Sequence, residues 1–266
     1  MSHTKAFYSR NLRRYMKYRV YGESGKPVVA FPTSEAHYSQ WEDFGMVDAI
    51  SSYIDDGLIQ LWTVDSIDEQ TFFRPRKNWR AAMKRHEQWF GYLHEEFLPM
   101  VKHVNHRANR WAGWQPETGG SGLMLTGCSM GAYHAANYFF RNPYSVDSVI
   151  ALSGVYNPDS FTEGFMTPPL RANSPLDYLQ DPIPPARRRA YEAARLVFCA
   201  GQGAGEEEMF EDTEALDEVL EEQGIHAWVD IWGEEAEHDW VWWNQQLVYY
   251  LDHVLTDAED GSLERP

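Results

Sequence analysis

Short apolar runs alternate with longer amphipathic segments along most of the chain, and this alternation constrains the fold more than any other feature. Runs typical of buried strands occupy 15–21, 27–31, 58–64, 122–128, 147–152, 195–200 and 225–231. Helical periodicity is found at 44–53, 79–103, 130–141, 208–223 and 240–254. Apolar strands that alternate with helices are typical of a parallel sheet covered on both faces. The sequence therefore predicts a three-layer α/β fold with a mostly parallel central sheet and helices on both faces.

The domain organisation is expected to be simple. The chain has 266 residues and shows neither an internal repeat nor a linker rich in proline, glycine and serine. We therefore expect a single domain over 1–255. The segment 157–185 holds seven of the fourteen prolines and interrupts the alternation, so it is predicted to be an irregular cap insertion. Residues 256–266 are predicted to form a flexible acidic tail.

Charge and composition exclude several classes of partner. The net charge is −17, which would repel nucleic acid and anionic membranes. No apolar run reaches the roughly 18 residues of a membrane span, and the N-terminus lacks the apolar core of a signal peptide. Cys128 and Cys199 are expected to be buried, reduced thiols in a cytoplasmic protein. The aromatic residues around Tyr249 and Tyr250 also allow a homo-oligomer.

One turn between a strand and a helix carries a serine with a glycine two residues away on either side. The apolar run 123–128 leads into Gly127-Cys128-Ser129-Met130-Gly131, and a helix of small and apolar residues follows. A turn this sharp crowds the positions two before and two after the serine, and glycine relieves that crowding. The turn leaves the serine Oγ exposed at the N-terminus of a helix, where free N–H groups stabilise a developing anion. Ser129 is therefore predicted to be a nucleophile.

In this kind of site the three residues follow one another in the chain in the order serine, acid, histidine. The histidine that would activate the serine is therefore expected after both the serine and the acid. Four histidines follow Ser129, namely His134, His226, His238 and His253. His134 is expected to pack on the sheet, and His226 to begin the strand 225–231. His253 lies at the end of the final helix, whereas His238 lies in a loop after the last predicted strand. His238 is therefore the predicted general base.

The acid is expected in the loop after the strand 195–200. This loop reads Gly-Gln-Gly-Ala-Gly and ends in three glutamates, 206–208. A carboxylate there would accept the second N–H of the histidine and stabilise the imidazolium. Because Glu208 is predicted to open the next helix, Glu206 is the first candidate and Glu207 the second.

Two backbone N–H groups are needed to bind the oxyanion of the tetrahedral intermediate. Met130 directly follows the nucleophile and would supply one of them. The other is expected from the loop after the strand 27–31, where Ser34, or failing it Thr33, is the candidate.

These features together resemble the Putative esterase family of α/β-hydrolases, which also contains esterase D and the mycolyltransferases. The resemblance rests on FPTSEAHYSQWEDFGMVDAI, IQLWTVDS, LTGCSMGAYHAANYFFRNP, IALSGVYN, GQGAGEEE and EHDWVWW, spread from about residue 14 to residue 254. It implies an α/β-hydrolase fold with Ser129 as nucleophile, His238 as base, Glu206 or Glu207 as acid, and Ser34 with Met130 as the oxyanion hole. The chain departs from the family pattern at Glu237, where many relatives have glycine, and at Ala204, where many have the aspartate of a Gly-x-x-Asp motif.

The predicted function is that of a serine esterase acting on a small-molecule ester through an acyl-enzyme, with no metal or organic cofactor. Trp240, two residues after His238, is predicted to border the substrate pocket. An acyltransferase or a thioesterase would use the same residues and stays open as an alternative. A binding protein on an inactive hydrolase scaffold is the non-enzymatic alternative.

Overall fold

A single sheet organises the molecule. The computed structural model describes residues 4–74, 78–114, 122–162 and 164–256. Within these ranges eight strands form one sheet in the order β1-β2-β4-β3-β5-β6-β7-β8. The strands are β1 (Lys5–Ser9), β2 (Arg14–Tyr21), β3 (Lys26–Phe31), β4 (Ile59–Val64), β5 (Leu123–Cys128), β6 (Val146–Leu152), β7 (Arg195–Ala200) and β8 (Trp228–Ile231). The β1–β2 and β2–β4 pairs are antiparallel and the other five pairs are parallel.

The connections between the parallel strands carry the helices. The α-helices in the described part of the chain are α1 (Gln40–Asp43), α2 (Met46–Ala49), α3 (Ser51–Asp55), α4 (Trp79–Tyr92), α5 (Leu98–Ala112), α6 (Met130–Arg141), α7 (Asp159–Thr162), α8 (Pro168–Arg171), α9 (Pro175–Tyr178), α10 (Pro185–Glu192), α11 (Glu207–Glu222) and α12 (Trp240–Thr256). Short 3₁₀ helices lie at Asp68–Gln70 and Pro143–Ser145. No helix within the described residues is long and apolar enough to cross a membrane.

Two large apolar clusters cover the two faces of the sheet. One packs α4, α5, α6 and α11 against one face, and the other packs α1, α2, α3 and α12 against the opposite face. Consecutive strand residues alternate between them, as Val28 and Val29 do on β3, because side chains of a strand point to opposite faces in turn. The predicted three-layer α/β architecture with a mostly parallel sheet is confirmed.

Several predicted elements differ from those observed. The edge strand β1 was not predicted, and β8 begins at Trp228, so that His226 precedes the strand. The helix predicted at 44–53 is divided into α2 and α3, and α1 begins before it. Gly45 has φ +80° and separates α1 from α2. A left-handed residue ends a helical run, so α1 does not continue into α2. The break inside the predicted helix lies at Ile50, whose φ of −102° and ψ of 16° depart from helical values.

The long helix predicted at 79–103 is interrupted by one π-helical turn, Leu93–Phe97, and then continues as α5 to Ala112. Pro99 lies in the first turn of α5. Proline has no N–H to donate to the preceding turn, so one hydrogen bond of the α-helical pattern is missing there. A π turn accommodates this missing bond, and the helix continues. Gly113, with φ +71°, ends α5.

The proline-rich segment 157–185 lies between β6 and β7, and its described part contains three helices of four residues, α7, α8 and α9. Residues 257–266 of the predicted tail lie outside the described part of the chain. Cys128 and Cys199 are free and buried, as the sequence predicts.

Candidate active site

Ser129 lies on the sharp turn between β5 and α6. Its backbone has φ 56° and ψ −123°, a conformation that costs a residue with a side chain on the order of 1–3 kcal/mol. The Ser129 N–H donates a hydrogen bond to the Leu152 carbonyl at the end of β6, 2.8 Å away. This bond to the neighbouring strand holds the strained turn in place.

The flanking glycines allow the strand and the helix to approach each other closely. A Cβ atom on Gly127 would lie 2.3 Å from the Gly131 carbonyl carbon. A Cβ atom on Gly131 would lie 2.5 Å from the Phe31 carbonyl oxygen. Both obstacles are backbone atoms, which cannot rotate away. Glycine is therefore required at both positions by packing.

His238 reaches Ser129 from the loop between β8 and α12. The loop is held by the His238 N–H, which donates to the Ala204 carbonyl at 3.0 Å. The ring atom Nε2 lies 3.0 Å from Ser129 Oγ. Nδ1 lies 3.0 Å from Glu206 Oε1. One imidazole ring thus connects the serine hydroxyl to a carboxylate.

Of the two candidate acids, Glu206 is the one that faces the histidine. Its side chain is 1% exposed and precedes α11, and its Oε2 accepts the Gly201 N–H at 3.2 Å. Glu207 is the first residue of α11 and is exposed. The backbone of the glycine-rich loop passes close to Ala236, since a Cβ atom on Gly201 would lie 2.0 Å from the Ala236 oxygen. This close approach brings the acid and the histidine loops together.

The backbone donors expected for an oxyanion lie on both sides of Ser129. Met130 is the first residue of α6, where N–H groups have no partner inside the helix. The loop after β3 packs beside it, since a Cβ atom on Gly131 would contact the oxygens of both Phe31 and Pro32. The Thr33 N–H donates to Gln40 Oε1 at 2.9 Å and is therefore engaged. The Ser34 N–H forms no hydrogen bond within the described residues, so the geometry favours Ser34 over Thr33.

Aromatic rings surround the histidine side of the site. Trp240 is partly buried, stacks on Phe44 at 5.2 Å between ring centroids, and meets Trp243 edge to face at 5.3 Å. Phe44 itself is 52% exposed. The predicted pocket residue Trp240 is thus part of an aromatic surface that reaches solvent two residues beyond His238.

A separate apolar cluster includes Met130, the residue directly after Ser129. Its buried members include Met130, Phe72 and Val155, and the half-buried Phe73 and Phe161 pack at its margin. The residues come from segments that follow β4, β5 and β6. In a parallel sheet these segments meet at the carboxyl edge of the strands, where ligands bind.

A buried contact between a histidine and a carboxyl group was not predicted. Nε2 of His134, on α6, lies 2.9 Å from Asp68 Oδ1, and the two side chains are 1% and 2% exposed. The sequence predicts only that His134 packs on the sheet and does not predict its contact with Asp68. His86 stacks on His134 with ring centroids 5.9 Å apart. Burial, together with the neighbouring His134, lowers the pKa of His86 well below its ordinary value. Asp68 and His134 are 66 residues apart in the chain, so no local pattern reveals the pair.

Comparison with known proteins identifies the family and the fold of the chain. The sequence profile of the family described as "Putative esterase" matches residues 9–253. No curated protein sequence matches the chain.

Three solved structures illustrate the likeness in fold. An S-formylglutathione hydrolase from Agrobacterium tumefaciens has a TM-score of 0.69 at 13% identity, over 97% of this chain and 95% of that one. MPT51 (FbpC1) of Mycobacterium tuberculosis has a TM-score of 0.69 at 14% identity, over 97% and 99%. A ferulic acid esterase from Anaeromyces mucronatus, in complex with ferulic acid, has a TM-score of 0.66 at 15% identity, over 96% and 90%.

At these identities the solved structures show the fold alone, and the fold they share is the α/β-hydrolase fold. The family profile, in contrast, spans most of the sequence. The chain therefore belongs to the Putative esterase family, on an α/β-hydrolase fold.

Proposed function

We propose that this protein is a serine esterase that hydrolyses carboxylic esters of small molecules through Ser129, His238 and Glu206. One observation carries the proposal. A continuous series of hydrogen-bond contacts runs from Glu206 Oε1 to His238 Nδ1 and from His238 Nε2 to Ser129 Oγ, each 3.0 Å long. A nucleophile, a base in contact with it and a group that orients the base are the parts that acyl transfer requires.

The first half of the reaction forms an acyl-enzyme. Glu206 accepts the Nδ1–H of His238, which leaves the Nε2 lone pair free to take the proton of the Ser129 hydroxyl. The Oγ atom bonds to the ester carbonyl carbon, and the carbonyl π electrons move to the oxygen. When this intermediate collapses, the bond to the alcohol oxygen breaks, and that oxygen takes the proton from Nε2.

The second half returns the enzyme to its starting state. A water molecule gives a proton to Nε2 of His238 while its oxygen bonds to the acyl carbon. Collapse of the second intermediate breaks the bond to Oγ, and the proton on Nε2 returns to Ser129. The net reaction converts one ester and one water into an acid and an alcohol.

The oxyanion in both steps would be bound by the backbone N–H groups of Met130 and Ser34. Met130 begins α6 and Ser34 lies in the loop after β3, and the positive end of the α6 dipole adds to the same field. Fixed donors aimed at a developing negative charge lower the barrier without reorganisation.

The surroundings of Ser129 support an ester with an apolar group. The cluster that includes Met130 has half-buried phenylalanines, Phe73 and Phe161, at its margin. The stacked pair Phe44 and Trp240 lies on the side of His238. Either surface would bind an aliphatic or aromatic group by removing apolar area from water.

Substrate competition separates this proposal from its alternatives. An ester, a thioester and an amide of one short acyl group would be compared at equal concentration, in buffer and with added alcohol. We expect the ester to have the highest kcat/KM and the free acid to be the main product. Preferential transfer to the alcohol would identify an acyltransferase, and preference for the thioester a thioesterase.

Covalent labelling tests whether the site is catalytic at all. A fluorophosphonate probe is expected to bond through phosphorus to Ser129 Oγ with loss of fluoride, which raises the mass of the wild-type chain by that of the probe less HF and leaves the Ser129→Ala variant unchanged. A wild-type chain that neither reacts with the probe nor hydrolyses any of the three substrates would overturn the proposal in favour of a non-enzymatic binding protein.

A further inference from the structure

His238 has a fourth neighbour besides Glu206, Ser129 and its own loop. The indole ring of Trp243 lies perpendicular to the imidazole, with ring centroids 4.8 Å apart and an interplanar angle of 88°. Trp243 is in the first turn of α12 and is 4% exposed. This tryptophan is therefore a fixed wall against the ring of the proposed base.

A further contact is needed because the two hydrogen bonds of the imidazole leave the ring free to tilt about the line that joins Glu206 and Ser129. The N–H bond and the lone pair of an imidazole lie in the plane of the ring, and His238 uses them toward Glu206 and Ser129 at 3.0 Å each. The two hydrogen bonds resist translation and in-plane rotation, but they oppose only weakly a tilt about the line that joins the two partners. The side chain of His238 is 22% exposed, so solvent does not restrain that tilt. A perpendicular ring in van der Waals contact does restrain it.

Trp243 is itself held by a buried hydrogen bond. Its Nε1–H donates to Ser153 Oγ at 2.9 Å. Ser153 is 1% exposed and has φ +53°, a left-handed backbone that residues with a side chain rarely adopt. The Ser153 N–H donates to the Cys199 carbonyl at 2.6 Å, which fixes this conformation on β7. The unusual backbone therefore serves to aim a hydroxyl at the indole.

The same short stretch also holds the nucleophile. Leu152, the residue before Ser153, accepts the N–H of Ser129 at 2.8 Å. Two consecutive residues at the end of β6 thus fix the backbone of the proposed nucleophile and the ring that supports the proposed base. Any displacement of this peptide would shift both partners of the Ser129–His238 contact together.

We infer that Trp243, anchored by Ser153, is a positioning residue that keeps the His238 ring in the plane joining Glu206 and Ser129. The inference rests on the proposed esterase function, since it assigns a role in the same reaction. Neither side chain needs to touch the substrate. Their contribution is to preserve the geometry of proton transfer, to which rates are very sensitive.

Two variants test this inference against a matched control. Trp243→Phe keeps an aromatic ring and loses the donor to Ser153, and Ser153→Ala removes the acceptor without changing the residues that touch His238. The control is Trp62→Phe on β4, where a tryptophan that is 1% exposed donates its Nε1–H to Gln60 Oε1 at 3.1 Å. It loses the same buried bond on a strand away from the site.

The measurements are kcat, KM and the rate constant for covalent labelling of Ser129 by a fluorophosphonate. For Trp243→Phe we expect kcat and the labelling rate to fall together by about ten- to a hundredfold, with KM within about twofold of wild type. Ser153→Ala is expected to show a smaller fall in the same direction. Trp62→Phe is expected to match wild type in all three quantities.

Each other outcome contradicts the inference. If kcat and the labelling rate are equal in Trp243→Phe, Ser153→Ala and Trp62→Phe, Trp243 contributes only to packing, and the esterase proposal is unaffected. A raised KM at unchanged kcat would mean that Trp243 contacts the substrate instead. If Trp243→Phe does not fold, Ser153→Ala decides by the same measurements. Failure of the esterase proposal itself is distinguishable, because the wild type and Trp62→Phe would then also be inert to ester and probe.

Discussion

Glu206 Oε1 lies 3.0 Å from His238 Nδ1, and the other oxygen of the same carboxylate accepts the N–H of Gly201 at 3.2 Å. The Glu206 carboxylate is therefore held at both of its oxygens, one by the backbone of its own loop and one by the histidine. An orientation fixed in this way selects the imidazole tautomer with its proton on Nδ1 and leaves Nε2 to face Ser129.

This relationship predicts unequal roles for two adjacent glutamates. Glu206→Gln keeps the shape of the side chain, but an amide can offer its NH₂ group to Nδ1 and favour the wrong tautomer. We expect kcat to fall by about a thousandfold or more. Glu207→Gln removes the same charge from an exposed position and is the matched control. Steady-state kinetics on a p-nitrophenyl ester measures both, and equal losses in the two variants would contradict the assignment of Glu206 as the acid.

The second prediction concerns the packing of the nucleophile turn. Gly131→Ala would place a methyl group 2.5 Å from the Phe31 carbonyl oxygen. We expect the free energy of unfolding to fall by about 3 kcal/mol, since an overpacked backbone cannot relax easily. Gly113→Ala is the comparison, because Gly113 has φ +71° and no atom of the described residues lies within 4 Å of the place that its Cβ would take.

At Gly113 only the backbone conformation opposes a side chain, at a cost of about 1 kcal/mol. Urea denaturation of both variants separates the two effects. A Gly131→Ala protein as stable as Gly113→Ala would contradict the close approach of α6 to β3.

The third prediction concerns the buried contact between Asp68 and His134. Asp68→Leu keeps the approximate size of the side chain and removes the oxygen that lies 2.9 Å from His134 Nε2. Loss of a buried hydrogen bond that leaves its partner unsatisfied is expected to lower the free energy of unfolding by about 2 kcal/mol. Glu69→Leu is the control, since the side chain of Glu69 is 47% exposed and its pair with Arg14 spans 3.8 Å. Thermal and urea unfolding should separate the two variants, and equal stabilities would show that the pair contributes nothing.

The fourth prediction is a pH dependence of stability that originates at His86. Burial lowers the pKa of His86 well below its ordinary value of 6.5, so the folded protein keeps this ring neutral where the unfolded chain binds a proton. Stability therefore falls as pH drops below about 6.5, with a slope that approaches about 1.4 kcal/mol per pH unit from this group.

A His86→Leu variant lacks that contribution. Its free energy of unfolding, measured in urea from pH 7 to pH 5, is expected to fall less steeply than that of the wild type. Identical slopes would contradict the assignment of a neutral, buried His86.

Much of the candidate site can be predicted from the sequence, because its residues lie in turns and loops that directly follow predicted strands. The glycines at 127 and 131 predict a sharp turn at Ser129, and of the histidines after Ser129 only His238 lies in a loop that follows a predicted strand. The α/β architecture follows from the alternation of apolar runs and helices. Glu206 and Glu207 could not be separated, because which carboxylate faces inward depends on where α11 begins, and that start lies one residue earlier than the periodicity predicts.

Other features depend on contacts between distant segments and leave no local pattern. Asp68 and His134 are 66 residues apart, and Ser153 and Trp243 are 90 apart. The breaks in the predicted helices have a different cause. Ile50, with a non-helical backbone (φ −102°, ψ 16°), separates α2 from α3, and a π turn lies directly before Pro99 in the long helix, although the hydrophobic periodicity continues across both.

The most direct test of the central claim is the rate of p-nitrophenolate release from a short-chain p-nitrophenyl ester by wild type and Ser129→Ala, measured side by side on folded proteins. The account predicts that the wild type turns over and that Ser129→Ala loses about four orders of magnitude or more in kcat/KM. A Ser129→Ala variant as active as the wild type, or a wild type no faster than buffer, would contradict it.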